Sequence, residues 1–155
     1  MFTMLLAHMV AALVAPLLVR WIGRSAFYPL AVVPAASAVW LATFDPRSLG
    51  EAPVEVSVPW IPAFGIDLAF RLDTLSWVLA VIATGIGAMV LLYCARYFKD
   101  TEPGLGRFAG ILTAFAGAMV GLVLSDDVMV IYTFWELTTI FSYLQIGRAS
   151  CRERV

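Results

Sequence analysis

The chain has 155 residues, 62% of them hydrophobic and 14% charged, with a formal net charge of −1. A mean hydropathy of +0.91 and recurring long apolar runs exclude an ordinary soluble domain and point to an integral membrane protein. The near-neutral charge, with no interleaving of aromatic and basic residues, excludes a nucleic-acid footprint.

Two cysteines, Cys94 and Cys151, offer neither a disulfide framework nor metal-ligand spacing. No Gly-rich phosphate loop and no Ser/His/Asp set is present. No cofactor, bound metal or enzymatic site is therefore expected.

The first apolar segment runs from Phe2 to Val19. It lacks a basic stretch before it, and Arg20 and Arg24 follow it. This pattern predicts a retained helix with its N-terminus outside, not a signal peptide. His8 lies within it; a lone His on an apolar face is more often a packing residue than a proton carrier. A second segment spans Ala26 to Phe44.

The loop from Asp45 to Asp73 has a different texture. "VEVSVPW" alternates apolar and polar, "IPAFG" can turn, and "IDLAFRLD" alternates again. The pattern predicts a small β-hairpin on the outer face. Asp73 then stands where a helix cap belongs, with Ser76 in the first turn.

The third segment, Thr74 to Tyr93, contains Gly85 and Gly87. The fourth, Phe108 to Leu124, carries Gly110, Ala114, Gly117, Ala118 and Gly121 on one side. Small residues let helices approach closely in lipid, so both are read as packing faces inside a bundle. The fifth segment spans Val128 to Ile146.

Each segment is long enough to cross ~30 Å of hydrocarbon as a helix. The predicted fold is therefore all-α and membrane-embedded. It has about five transmembrane helices, with the hairpin between the second and third. Alternation places "RWIGR" and "RYFKDTEPGLGR" on one side with Arg20, Arg24, Arg96, Lys99 and Arg107. The opposite side holds the long loop, with only Arg47 and Arg71, and "LSDDV" with Asp126 and Asp127. Excess Lys and Arg mark the cytoplasmic side, which agrees with an outside N-terminus.

Within the fifth segment, "MVIYTFWELTTIFSY" places Glu136 about eight residues in, or ~12 Å deep at 1.5 Å per residue. A charge there costs at least ~2.5–3.5 kcal/mol. Protonation, a cationic partner or water can avoid that cost. Tyr132, Thr133, Thr139 and Tyr143 fall on or near its face, with Ser142 close by. A mid-membrane acid on a hydroxyl-lined stripe is the physical minimum for a proton relay. The alternative is a protonated glutamate that hydrogen-bonds a neighbouring helix and only holds the bundle together.

"FRLDTLSWVLAVIATGIGAMVLLYCARYF" and "GRFAGILTAFAGAMVGLVLSDDVMVIYTFWELTTIFSYL" resemble the large antiporter-like subunits. These include the A subunit of Mrp-type Na+/H+ antiporters and the related proton-pumping subunits of complex I and membrane-bound hydrogenases. The likeness covers most of Phe70 to Gln145, and the "FWELT" helix looks closest to the Mrp form. It implies that Glu136 belongs to the proton path and pairs with a lysine on a later, broken helix. It also implies partner antiporter subunits, protons and monovalent cations (sodium foremost) as cargo, and a plasma-membrane location. Family members are much longer, so residues 1–147 read as an N-terminal part of such a subunit. Thr74 stands where a glycine is usual, and Asp127 where an asparagine is common.

From Arg148 the texture changes to "RASCRERV". Residues 148–155 are read as a non-native tail similar to a translated sequencing adapter, with a short basic C-terminus as the alternative. No function is placed on Cys151.

Overall fold

In the computed structural model, residues 1–99 and 102–152 are described, without the side chains of residues 64, 66 and 147–152. Helix α1 spans Phe2–Ile22. Gly23, at φ 61°, adopts a left-handed backbone that a β-carbon disfavours, and it ends the helix there. A short 3-10 turn, Gly23–Ala26, then reverses the chain into α2, Phe27–Leu41.

A six-residue helix in the long loop was not expected. Helix α3 spans Pro46–Glu51, and the Asp45 carboxylate accepts from the Arg47 amide at 3.0 Å. Asp at the cap with Pro in the first turn is a favourable helix start. The Thr74 hydroxyl donates to the Pro46 carbonyl at 2.8 Å, clipping α3 to the next long helix. Threonine at that position is thus a tether between elements.

The hairpin forms as the alternation predicts. Strand β1, Val54–Ile61, pairs antiparallel with β2, Ile66–Leu72, with Val54 opposite Leu72 and Val58 opposite Leu68. Phe70 and Leu72 turn inward and are 2% and 0% exposed. Arg71 turns outward and meets Glu55, its cross-strand neighbour, at 3.3 Å.

Helix α4, Thr74–Tyr97, begins with a full capping box. The Asp73 carboxylate accepts from the Ser76 amide at 2.8 Å, and the Asp73 amide donates to the Ser76 hydroxyl at 2.8 Å. That bond from the Ser76 amide holds the Asp73 carboxyl below its ordinary range, helped by Arg71. A depressed carboxylate contributes stability above its unfolded pKa and loses it as pH falls through the folded value. Asp73→Ala is expected to cost about 1 kcal/mol near neutral pH. The cost should vanish in acid below that lowered range. Melting temperatures of the two proteins across pH check this.

Helix α5 spans Leu105–Leu124 and α6 spans Val128–Arg152. The tail expected from residue 148 is described only in backbone and only to Arg152; the rest lies outside the described residues.

Two apolar clusters fix the alternation. One gathers Met4, Leu41, Phe70, Ala80, Leu124 and Val130 beside the hairpin. The other gathers Ala15, Phe27, Leu91, Cys94, Leu105 and Ala109 at the opposite end. Successive long helices therefore run up and down, as consecutive spans must. Outside, Leu6, Leu13, Val39, Leu75 and Met89 are all more than half exposed. Exposed apolar faces around small-residue contacts are what a lipid solvent requires.

Among the described residues, three stretches are long and apolar enough to cross a membrane: Phe2–Leu41, Thr74–Tyr97 and Leu105–Leu124. The first covers both of the first two expected segments, joined by the 3-10 turn. Helix α6, expected as the fifth, is not among them. Its hydroxyls, Glu136 and Gln145 dilute its apolar character.

Candidate functional site

The site is built on α6 and on the helix that packs it. Asp127 opens α6: its carboxylate accepts from the Met129 amide at 2.8 Å and the Val130 amide at 3.3 Å. Aspartate serves here as asparagine would, since both offer a capping oxygen. Val130 is 1% exposed and Thr138 8% exposed, and Phe134 between them is half-buried. These residues, four apart, form the face that α6 turns to the bundle.

Glu136 lies about 200° around the helix from Phe134 at 3.6 residues per turn. Tyr132, Thr139 and Tyr143 project within about 60° of it, on the side away from the bundle. Tyr132 is 55% and Tyr143 75% exposed, whereas Glu136 is half-buried. The tyrosines of the expected stripe are therefore a surface feature of α6, while Glu136 is more covered and Thr139 and Tyr143 also edge a groove against α5. Thr133 stands at the edge of the stripe.

Two of the hydroxyls of the stripe do not reach the carboxylate. Thr133 donates to the Met129 carbonyl at 2.8 Å and Thr139 to the Trp135 carbonyl at 3.1 Å. Both bonds stay within the helix. Among the described residues, no hydrogen bond or ion pair reaches the Glu136 carboxylate. A groove of about 450 Å³ runs between α5 and α6, lined by Phe115, Met119, Thr138, Thr139, Ser142 and Tyr143. Part of the stripe thus borders a hydroxyl-bearing groove one turn beyond Glu136.

The small residues of α5 serve two helices, where one packing side was expected. A methyl added at Gly110 would lie 2.9 Å from the Ala12 carbonyl, and one at Gly117 2.7 Å from the His8 Cβ. Gly121 instead faces the Phe134 ring, with no room for a β-carbon. Four residues advance a helix by about 400°, so Gly117 and Gly121, the GxxxG pair of α5, drift from α1 toward α6. Gly87 of α4 faces Ala116 of α5, whereas a methyl added at Gly85 would meet open space.

His8 is fully buried, and its Nδ1 bonds the Met4 carbonyl at 2.8 Å. It packs against Gly117, consistent with a packing residue. Among the described residues, no group of three or more His, Cys, Asp or Glu could hold a metal ion.

The family described as "NADH-Ubiquinone oxidoreductase (complex I), chain 5 N-terminus" matches residues 60–109. The A subunit of the Na(+)/H(+) antiporter of Alkalihalophilus pseudofirmus is 43% identical over 101 residues, 65% of this chain and 12% of that one. The A1 subunit of the Na(+)/H(+) antiporter of Staphylococcus aureus is 34% identical over 140 residues, 90% of this chain and 17% of that one. A chain in the structure of the Mrp complex from Dietzia sp. DQ12-45-1b superposes with a TM-score of 0.82 at 37% identity. That superposition covers 92% of this chain and 15% of the other.

The chain belongs to the family of Mrp-type antiporter A subunits.

It spans 12% and 17% of the length of the two curated family members. The structure of an archaeal membrane-bound sulfane sulfur reductase shares the fold, with a TM-score of 0.67 at 23% identity. A sulfur reductase complex and an antiporter complex therefore share one helical scaffold.

Proposed function

We propose that the chain is part of an ion-translocating subunit of a multisubunit monovalent cation/proton antiporter in the cell membrane. Glu136 is its mid-membrane protonatable group, and the N-terminus lies outside. The observation that carries the reading is the 37% identity to the Mrp complex chain across 92% of this chain. The relatives named as Na+/H+ antiporter subunits support sodium and protons as the cargo.

The direction of Glu136 supports its role. A carboxylate on the side of α6 opposite Phe134 is placed to serve a group on another helix. Tyr132, Thr139 and Tyr143 supply the polar surround. The subunit itself carries out no redox chemistry in this reading; it moves ions alongside partner subunits.

The family match described in terms of complex I chain 5 favours a second reading, a proton-pumping subunit of a redox complex. Affinity purification of the full-length subunit from its native membrane separates the two. The antiporter reading expects small membrane subunits with no redox centre, and sodium-driven proton movement in vesicles. Recovery of flavin or iron–sulfur subunits would replace it with the pumping reading.

A further inference from the structure

The Glu136 reading leaves unexplained what sets the direction in which α6 presents its carboxylate. Helix α6 has one apolar face against the bundle and exposed apolar residues elsewhere, including Val128, Ile131 and Ile140. Apolar burial alone does not choose its rotation in lipid. A specific seat does.

Phe134 supplies that seat. Its ring occupies the space above Gly121 where any β-carbon would stand. Phe70 of the hairpin backs it at 6.1 Å between centroids, tilted by 59°. Phe70 is itself 2% exposed and is held edge-on by Phe2 at 5.1 Å. The hairpin is also fastened to the start of α6 through main chain. Phe70 bridges to Ser125, and the Asp126 amide donates to the Ala69 carbonyl at 2.9 Å. The Ser125 hydroxyl closes the loop on the Gly121 carbonyl at 2.6 Å.

We infer that Phe134, seated on Gly121 and backed by Phe70, is the positioning residue that fixes the rotation of α6 and hence the direction of the Glu136 carboxylate. This rests on the relay reading of Glu136. The lever is short. Glu136 follows Phe134 by two residues on nearly the opposite face, so a turn of about 20° at the seat moves a side chain ~6 Å from the axis by ~2 Å. Proton transfer is sensitive to displacements of that size.

The test uses the full-length protein, joined to its partner subunits in everted vesicles. A dye reports the collapse of a pH gradient on adding sodium. Gly121→Ala pushes the ring out of its seat; Phe134→Leu exchanges the ring for a smaller apolar side chain that packs on the added methyl and refills the seat. The inference expects Gly121→Ala to shift the half-saturating sodium concentration or the pH profile by about threefold or more at unchanged complex abundance. The double variant Gly121→Ala/Phe134→Leu should return toward wild type. If Gly121→Ala lowers transport only in step with complex abundance, or the double variant shows no recovery, the positioning role is wrong. If Gly121→Ala transports as wild type does, it is wrong as well. Glu136→Gln in the same vesicles keeps the two readings distinguishable: loss of transport there with no effect at Gly121 overturns this inference alone.

Discussion

Glu136→Gln in the full-length protein, expressed with its partner subunits, is expected to abolish sodium-driven proton movement while the complex still assembles. The amide matches the carboxyl in shape and still accepts and donates hydrogen bonds, but it cannot bind and release a proton. A role confined to holding helices together predicts the reverse, since glutamine bridges helices as well as a protonated glutamate does. Glu136→Asp retains the proton and retracts it by one methylene, so partial transport with an altered pH profile is expected. Dye-reported pH-gradient collapse, normalised to complex recovered by affinity capture, checks all three proteins together. Wild-type transport by Glu136→Gln would end the relay account.

Gly117→Leu is expected to separate α1 from α5 and to destabilise the bundle by about 2–3 kcal/mol, the range for forcing extra atoms into a packed core. The reason is geometric. Even a methyl at Gly117 would sit 2.7 Å from the His8 Cβ, and one at Gly110 would be similarly close to the Ala12 carbonyl. Those two contacts lie about two helical turns apart along α5. Neither obstacle is a flexible side-chain tip, so the helices must move apart. Lost contact between helices in lipid is not repaid by hydrophobic collapse, because lipid is as apolar as the contact it replaces. The thermal transition of the detergent-solubilised protein should fall by several degrees. His8→Gly combined with Gly117→Ala, which removes the Cβ that an alanine at position 8 would keep, should recover part of the loss seen in Gly117→Ala alone. Failure of that pair to recover would place the tight contact elsewhere.

The sequence carried the membrane class, the up-and-down alternation and the hairpin because each rests on a local signal. Apolar run length, loop charge and strand alternation need no tertiary knowledge. The caps at Asp73 and Ser76 were legible for the same reason. Helix α3 had its signal in "DPRS", aspartate before a proline, but six residues are too few to show periodicity. The polar stripe on α6 was readable from spacing, since Tyr132, Glu136, Thr139 and Tyr143 share a face in any helix. Which way it pointed was not. Both faces of a membrane helix can be apolar, so burial does not choose one. That choice depends on Gly121 and Phe70, distant in sequence and joined only by the fold. The GxxxG pair misled in the same way: it marked close packing correctly but not that its two glycines meet different helices.

The proposed role of Glu136 requires it to change protonation during ion exchange. Infrared difference spectroscopy of the assembled complex, with and without sodium, tests that most directly. A carboxylic-acid carbonyl band that sodium diminishes is expected, with a carboxylate band growing in its place, both missing from Glu136→Gln. An identical pair of bands in the Glu136→Gln complex would assign the proton to another residue and contradict the account.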